Sequence, residues 1–159
     1  MKANITLRPA RPEEAAAVSA LMLRSKAHWG YDTDFMHKCV AVLTVTPEMV
    51  ADGSYYVAVD GDDAILGVTR VERLDDAGRF ELDKLFIEPA AMGLGIGRVL
   101  FDKAAGMIRA NGGQRMEILS DPGAAPFYER MGATRIGEAP SDAIPGRMLP
   151  LLELDLTPR

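Results

Sequence analysis

The chain has 159 residues, 48% of them hydrophobic, so it is long and apolar enough to fold as one globular domain over residues 1–159. Its formal net charge is −5 and its pI is about 5.0, which argues against broad, sequence-independent binding to nucleic acid. No apolar run is long enough to span a membrane and residues 1–5 contain no apolar signal region, so we expect a cytoplasmic protein.

The start of the chain predicts a strand and then a long helix. Residues 5–8 are typical of a strand. Pro12 and the two acids after it are typical of a first helical turn, and the helix is expected to run to about Ala27. Four residues at helical spacing form its predicted inner face: Val18, Leu21, Met22 and Ser25.

Residues 28–31 interrupt the helical spacing and predict a loop. Asp32 or Thr33 then caps a second helix that is expected to continue through Leu43, and Thr46 caps one further turn. Cys39 lies in this apolar stretch, and because it is the one cysteine of the chain, no intrachain disulfide can form. We expect it to be a buried, inert thiol.

Three strands are predicted in the middle of the chain. Residues 55–59 and 65–74 read as strands joined by a hairpin turn at residues 60–63. A second turn at residues 75–78 leads into a third strand at residues 80–87. The short turns predict antiparallel neighbours.

A glycine-rich turn follows the third strand. Gly93, Gly95 and Gly97 stand at alternate positions just before an apolar helix. Glycines leave the backbone bare for a ligand, and a helix start offers free N–H groups and a positive dipole end. The turn is therefore a candidate site for a phosphate or pyrophosphate. The alternative is a turn that uses glycine only for packing.

Two common phosphate-binding motifs do not fit this turn. A P-loop ends in Gly-Lys-Ser/Thr, whereas Gly97 is followed by Arg98 and Val99. A dinucleotide fingerprint needs a third small residue and an acid about 20 positions later. Neither spacing of the glycines supplies that small residue, and the first acid after the helix is Glu117.

The turn resembles motif A of the GNAT acyl-coenzyme A N-acyltransferases, usually Gln/Arg-x-x-Gly-x-Gly/Ala after a strand. Gly95 and Gly97 match the glycines, whereas Met92 stands where the family has Gln or Arg, and Leu94 where Lys or Arg is common. The resemblance implies acetyl-coenzyme A as cosubstrate, with its pyrophosphate on backbone amides and charge from Arg98. The residues implied are Met92, Gly93, Leu94, Gly95, Ile96, Gly97 and Arg98.

A second stretch, residues 120–133, resembles the family's motif B, Asn-x-x-x-Phe/Leu-Tyr-Glu-x-x-Gly-Phe/Ala. Gly123 replaces the common Asn, and Ala124, Phe127 and Tyr128 are the other implied coenzyme contacts. In the family the Tyr at this position is the usual general acid. The alternative is that the two aromatics are core residues, which we favour for Phe127 but not for Tyr128.

The predicted elements follow the order βααβββαβαββ, which is the order of the GNAT fold. The resemblance therefore covers nearly the full length of the chain. It implies an α/β (α+β) protein with a mostly antiparallel mixed central sheet flanked by helices. The final strand, residues 151–156, is expected at a sheet edge where a second subunit would pair, since dimers are common in the family.

Two acids on the strand before motif A are candidates for the catalytic base. Glu81 and Asp83 alternate onto one face, and Glu81 matches the glutamate base of the histone acetyltransferase type. A backbone N–H of Leu85 or Phe86 would stabilise the oxyanion, and the coenzyme is expected to contact the strand as far as Ile87. The alternative is that both acids are solvent-facing charges.

The loop after the first helix is the implied wall of the acceptor site, with His28, Trp29 and Tyr31 as contacts. Its Ser-Lys-x-His-Trp-Gly-Tyr run, with a late Pro-Ser-x-x-Ile-Pro-Gly-Arg segment containing Arg147, resembles a bacterial GNAT subgroup whose substrate the resemblance does not imply. The alternatives are that the aromatics close the core and that Arg147 pairs with an acid.

The leading hypothesis is an N-acetyltransferase that moves an acetyl group from acetyl-coenzyme A to a small-molecule primary amine. A protein or peptide N-acetyltransferase and a non-catalytic coenzyme-binding module remain open as alternatives. We expect no metal, because His28 and His37 stand nine positions apart without a carboxylate pattern around them.

Overall fold

The computed structural model describes residues 4–158; the ends of the predicted domain, residues 1–3 and 159, lie outside the described residues. Its strands are β1 (Thr6–Pro9), β2 (Tyr55–Val59), β3 (Ile65–Arg73), β4 (Arg79–Ile87), β5 (Arg115–Leu119), β6 (Thr134–Pro140) and β7 (Met148–Asp155). Its α-helices are α1 (Ala15–Ala27), α2 (Thr33–Cys39), α3 (Pro47–Val50), α4 (Ile96–Ala110) and α5 (Ala125–Arg130). Short 3₁₀ turns at Pro12–Glu14 and Pro89–Ala91 precede α1 and α4.

The strands form a seven-stranded sheet in the order β1-β2-β3-β4-β5-β7-β6. The pairs β1–β2, β2–β3, β5–β7 and β6–β7 are antiparallel, and the pair β4–β5 is parallel. The predicted fold class and element order are confirmed, and the single turn predicted after Thr46 is the short helix α3. Within residues 4–158, none of the helices has the length and apolar composition needed to cross a bilayer.

Two compact units divide the described chain. The first comprises the chain up to Arg70 together with Lys84–Phe101, and the second comprises Val71–Asp83 together with the chain from Asp102 onward. The strands β3 and β4 and the helix α4 each contribute residues to both units.

The first unit has a core that anchors the start of α4. Ile96 and Leu100 are fully buried there with Ala58 and Ala91, and the half-buried Leu85 and Ile87 pack against them: they tie α4 to the end of β4. Gly67 on β3 lets these elements approach closely, because a Cβ at this position would lie 2.7 Å from Leu100 Cδ1 and 3.1 Å from the Phe86 carbonyl oxygen.

In the second unit, α4, β5 and β7 contribute the deepest side chains: Ile108, Met116, Ile118 and Leu152 are 0–1% exposed. Gly113, just after α4, is closely surrounded. A Cβ there would lie 2.8 Å from both the Ile108 carbonyl oxygen and Phe80 Cδ1. Any side chain at this position therefore requires the backbone to move.

The predicted faces and turns of α1 and its neighbours are confirmed. Val18, Leu21, Met22 and Ser25 are buried, and Cys39 is 2% exposed. Asp32 caps α2 by accepting a hydrogen bond from the Phe35 N–H at 2.8 Å.

Two expectations are wrong: the end of the second helix and the identity of the edge strand. The helix α2 ends at Cys39 rather than Leu43, because the residues after it include several β-branched side chains that are weak helix formers. The strand β7 lies between β5 and β6, so β6 is the edge strand instead. The reason is burial: six of the eight residues of β7 are buried or half-buried, whereas six of the seven residues of β6 are exposed.

Candidate active site

The glycine-rich turn is built from a tight reversal after β4. Glu88 opens the 3₁₀ turn, whose last hydrogen bond runs from the Met92 N–H to the Pro89 carbonyl oxygen at 3.3 Å. Gly93 and Gly95 then have φ angles of +87° and +81°, which L side chains rarely adopt. These two left-handed positions turn the chain into α4.

The start of α4 supplies hydrogen-bond donors. Its first turn closes when the Val99 N–H donates to the Gly95 carbonyl oxygen at 3.3 Å. The amides of Ile96, Gly97 and Arg98 therefore precede the first residue with an intrahelical acceptor. They carry the positive end of a 15-residue helix dipole. A Cβ at Gly93 or Gly95 would meet no heavy atom within 4 Å, so both glycines border open space. The loop is therefore a candidate site for an anion such as a pyrophosphate.

The side chains of the loop add little charge. Leu94 is 58% exposed, Met92 is half-buried, and Arg98 is exposed on the first turn of the helix. Sequence reasoning offered the amides of residues 92–98 to the phosphates. The Met92 amide is removed from these candidates, because its N–H already donates to the Pro89 carbonyl oxygen.

The end of β4 is fixed from α1. The Ile87 N–H donates to the buried Ser25 hydroxyl at 3.3 Å, and the Glu88 N–H donates to the Leu66 carbonyl oxygen at 2.8 Å. The Ile87 N–H is therefore engaged within the protein. Leu85 and Phe86 are half-buried. The pairing of β4 with β5 ends at Glu81 and Glu117, so Leu85 and Phe86 lie beyond it on β4.

The predicted bases lie together with a third acid. One carboxylate oxygen from each of Glu72, Glu81 and Asp83 lies within 4.8 Å of the others. Glu81 and Asp83 are half-buried on β4, and Glu72 is exposed on β3. Three carboxylates at this spacing concentrate negative charge, which suits an ammonium group better than an anion. Sequence reasoning missed Glu72, which lies on a different strand, and only the pairing of β3 with β4 would have indicated it.

Tyr128 is held in a protonated state by its surroundings. It is 7% exposed on α5, and burial, reinforced by the charge of Asp121, raises the pKa of its phenol above the ordinary value. Phe127 is half-buried, with its ring edge-on to Tyr128 at 5.2 Å between centroids. Gly132 ends the helix with a φ of +102°, which is typical of a left-handed C′ residue.

Asp121 is a second residue that sequence reasoning missed. Its carboxylate accepts a hydrogen bond from the Gly123 N–H at 3.0 Å and so shapes the turn before α5. The Gly123 amide, a predicted coenzyme contact, is therefore already bonded, and Ala124 is half-buried at the helix start. An Asp two positions before a glycine is a recognisable turn signal.

The aromatic loop after α1 does not complete the core. Trp29 is 46% exposed, and the exposed ring of His28 lies edge-on to it at 6.4 Å. Tyr31 is instead stacked on Phe35 of α2 at 3.9 Å, with the Lys26 ammonium 5.2 Å from the Tyr31 ring centroid. The loop thus offers an exposed indole beside a cation-covered aromatic stack.

The segment containing Arg147 is a closed loop. The Ser141 N–H donates to the Arg147 carbonyl oxygen at 2.8 Å, and the Ser141 hydroxyl accepts from the amides of Ala143 and Ile144. These bonds and the left-handed Gly146 hold the half-buried Arg147 at the start of β7.

A family model described as an acetyltransferase (GNAT) domain matches residues 11–143, which is most of the chain. The chain therefore belongs to the GNAT acetyltransferase family. Enzymes of this family use acetyl-coenzyme A as cosubstrate and act on amine acceptors that are small molecules or peptides.

Individual relatives agree with this assignment. Mycothiol acetyltransferase from Beutenbergia cavernae is 34% identical over 89 residues, which are 54% of this chain and 30% of that protein, so the chain matches less than a third of its length. The crystal structure of PaiA N-acetyltransferase from Thermoplasma acidophilum in complex with coenzyme A has a TM-score of 0.77 at 14% identity, over 96% of this chain and 99% of that one. N-acetylglutamate synthase from Neisseria gonorrhoeae, in complex with coenzyme A and N-acetyl-glutamate, has a TM-score of 0.70 at 17% identity, over 99% of this chain and 36% of that one. The two structures share the fold.

Proposed function

We propose that the chain transfers the acetyl group of acetyl-coenzyme A to the primary amine of a small molecule by direct attack in a ternary complex. The observation that carries the proposal is the loop at the start of α4, where two left-handed glycines border open space next to the first-turn amides. We further propose that residues 1–159 act as one catalytic domain. The family match supports this, since residues 11–143 include parts of both units.

In the proposed reaction, Glu81 is the base and Tyr128 is the acid. An alkylamine with a pKa near about 10 is mostly an ammonium ion at neutral pH, so Glu81, directly or through water, removes a proton. The free amine attacks the thioester carbonyl carbon, and a backbone N–H of Leu85 or Phe86 stabilises the oxyanion that forms. The C–S bond then breaks as Tyr128 protonates the leaving thiolate. The nitrogen passes its second proton to solvent water, and Tyr128 takes up a proton from solvent again.

The acceptor is assigned to the loop that contains His28, Trp29 and Tyr31, together with Arg147. The exposed indole supports an acceptor with an apolar body, and the three carboxylates around Glu81 support a cationic amine head. The same acidic set makes Asp83 the second candidate for the base.

Release of free thiol from acetyl-coenzyme A, measured with a panel of primary amines, tests the proposal. At neutral pH, Glu81→Gln is expected to lower kcat/KM by about 10²-fold, the usual scale for a lost general base. The loss should become smaller as the pH approaches the pKa of the substrate amine, because the amine is then already neutral. Glu138→Gln, which removes an exposed carboxylate on β6, is the matched control. Coenzyme binding without thiol release for any small amine or peptide would favour the non-catalytic coenzyme-binding module, and release with peptides alone would favour the peptide acetyltransferase.

A further inference from the structure

The last turn of α1 forms an ion pair with the residue that opens the glycine-rich turn. Arg24 Nη2 lies 2.6 Å from Glu88 Oε2, and Arg24 Nε lies 3.1 and 3.2 Å from the two carboxylate oxygens. The guanidinium therefore faces both oxygens, which the planar fork of an arginine can do and a lysine cannot. The Arg24 side chain is 53% exposed and that of Glu88 is 23% exposed.

The position of Glu88 is fixed independently of this pair. Its N–H is bonded to the Leu66 carbonyl oxygen, and the N–H of the preceding Ile87 is bonded to the Ser25 hydroxyl. The backbone of Glu88 would thus stay in place without Arg24. What the ion pair sets is the direction of the carboxylate, whose negative charge the guanidinium compensates.

A carboxylate at this position is unfavourable for anion binding. Glu88 stands four positions before Met92, so their Cα atoms are at most about 14 Å apart, and the intervening 3₁₀ turn shortens that distance. An unpaired carboxylate there would repel a pyrophosphate on the loop, most strongly at low salt, where the Debye length reaches about 30 Å. Phosphate-binding loops depend on a positive local potential, which a neighbouring acid lowers.

We infer that Arg24 is a positioning residue of the coenzyme loop, which turns the Glu88 carboxylate toward α1 and neutralises it so that the loop accepts pyrophosphate. The inference rests on the proposed function, because it requires coenzyme A to bind at residues 93–98. Sequence reasoning passed over Arg24, which the helical pattern alone marks as a solvated residue.

The test is a double-mutant cycle on coenzyme A affinity, measured by calorimetric titration at low salt. Arg24→Gln is expected to weaken binding by about fivefold, the scale of one partly exposed ion pair. Glu88→Gln is expected to leave affinity unchanged or improve it, and the double variant should return to within about twofold of the parent, because the repelling charge is gone.

Arg11→Gln is the matched control. It also removes one arginine of the first unit that is paired with an acid, Asp63, and its side chain is 52% exposed, against 53% for Arg24. We expect its affinity for coenzyme A to equal that of the parent. In addition, the loss of coenzyme A affinity in Arg24→Gln should become smaller at high salt, because salt screens the repulsion by Glu88. A loss of affinity caused only by a changed loop structure would not depend on salt in this way.

Two results would overturn the inference. Equal weakening by Arg24→Gln and Glu88→Gln without recovery in the double variant would mean that the pair is a structural tie, and an Arg24→Gln affinity equal to that of the parent would mean that Glu88 does not act on the loop. If the parent itself binds no coenzyme A, the proposed function fails and the inference falls with it.

Discussion

At the scale of a single residue, Tyr128 carries the proton that the proposed general acid has to donate. Burial and the charge of Asp121 raise its pKa, so the phenol keeps its proton throughout the neutral and mildly alkaline range. Tyr128→Phe removes the proton but preserves the ring. We expect kcat to fall by about 10²-fold, as for the loss of a general acid, with coenzyme A affinity unchanged.

Tyr56→Phe is the control for Tyr128→Phe, because Tyr56 is a half-buried tyrosine on β2 outside the proposed site. Its turnover should match that of the parent. Unchanged turnover in Tyr128→Phe would remove the tyrosine from the mechanism. A fall confined to coenzyme affinity would make it a binding residue instead.

Single residues were predictable from the sequence where a local motif fixes their surroundings. Gly93 and Gly95 were marked as turn residues by the glycine-rich motif, and the structure shows the positive φ angles at which only glycine is unstrained. Partners that arrive from another element were not predictable. Glu72 beside Glu81, and Arg24 on Glu88, are brought together only by folding.

At the scale of elements, an ion pair ties β1 to the start of α1. Arg8 Nη1 and Nη2 each donate to Glu14 at 2.8 Å, and these hydrogen bonds, the largest cause, hold the pKa of the Glu14 carboxyl below its ordinary value of 4.5. A carboxyl whose pKa is lowered in the folded state stabilises that state above its unfolded pKa, and the stabilisation is lost as the pH falls through the folded pKa.

Glu14→Gln is therefore expected to lower the free energy of unfolding at pH 7 by about 2 kcal/mol, the scale of hydrogen bonds between charged groups. The difference from the parent should narrow as the pH falls below about 4.5 and Glu14 becomes protonated. Chemical denaturation across this pH range measures it, with Glu13→Gln, an exposed acid of the same turn, as control. A difference that is constant with pH would show that the charge of Glu14 is not the cause.

Elements with strong local signals were predicted well, and their ends less so. The pattern of α1 and the hairpin turn at residues 60–63 needed only periodicity and turn residues. The end of α2 follows from the weak helix formers after Cys39, which the periodicity of the apolar residues masked. The edge position of β6 depends on the order of strands in the sheet, which the local sequence does not encode.

At the scale of the whole molecule, the two compact units share β3, β4 and α4 along the chain. Unfolding of one unit would therefore disrupt strands and a helix that also belong to the other unit. We expect a single cooperative unfolding transition. Gly113→Ala places a Cβ 2.8 Å from a backbone oxygen of the second unit and should lower the melting temperature by several degrees. Calorimetry should show one shifted peak, whereas an unmoved second peak would mean that the units unfold separately.

The fold of the whole chain was predictable because two motifs at their family spacing lie within the element order of a known fold. The match of the GNAT domain to residues 11–143 confirms the family, and the sheet order confirms the architecture. The acceptor was not predictable from sequence, because the segments that we propose to contact it, residues 28–31 and the loop around Arg147, follow no periodic pattern.

We propose that the loop at the start of α4 binds the pyrophosphate of acetyl-coenzyme A, and calorimetric titration with that ligand is the most direct test. Gly95→Glu places a carboxylate in the proposed phosphate space, and Gly53→Glu is its matched control. Gly53 has nearly the same φ, +79° against +81°, and also borders open space, so the backbone strain is equal. We predict micromolar binding by the parent and by Gly53→Glu, and at least about 100-fold weaker binding by Gly95→Glu, because charge repulsion and steric exclusion add. Equal affinity in all three proteins would place the coenzyme elsewhere and contradict the account.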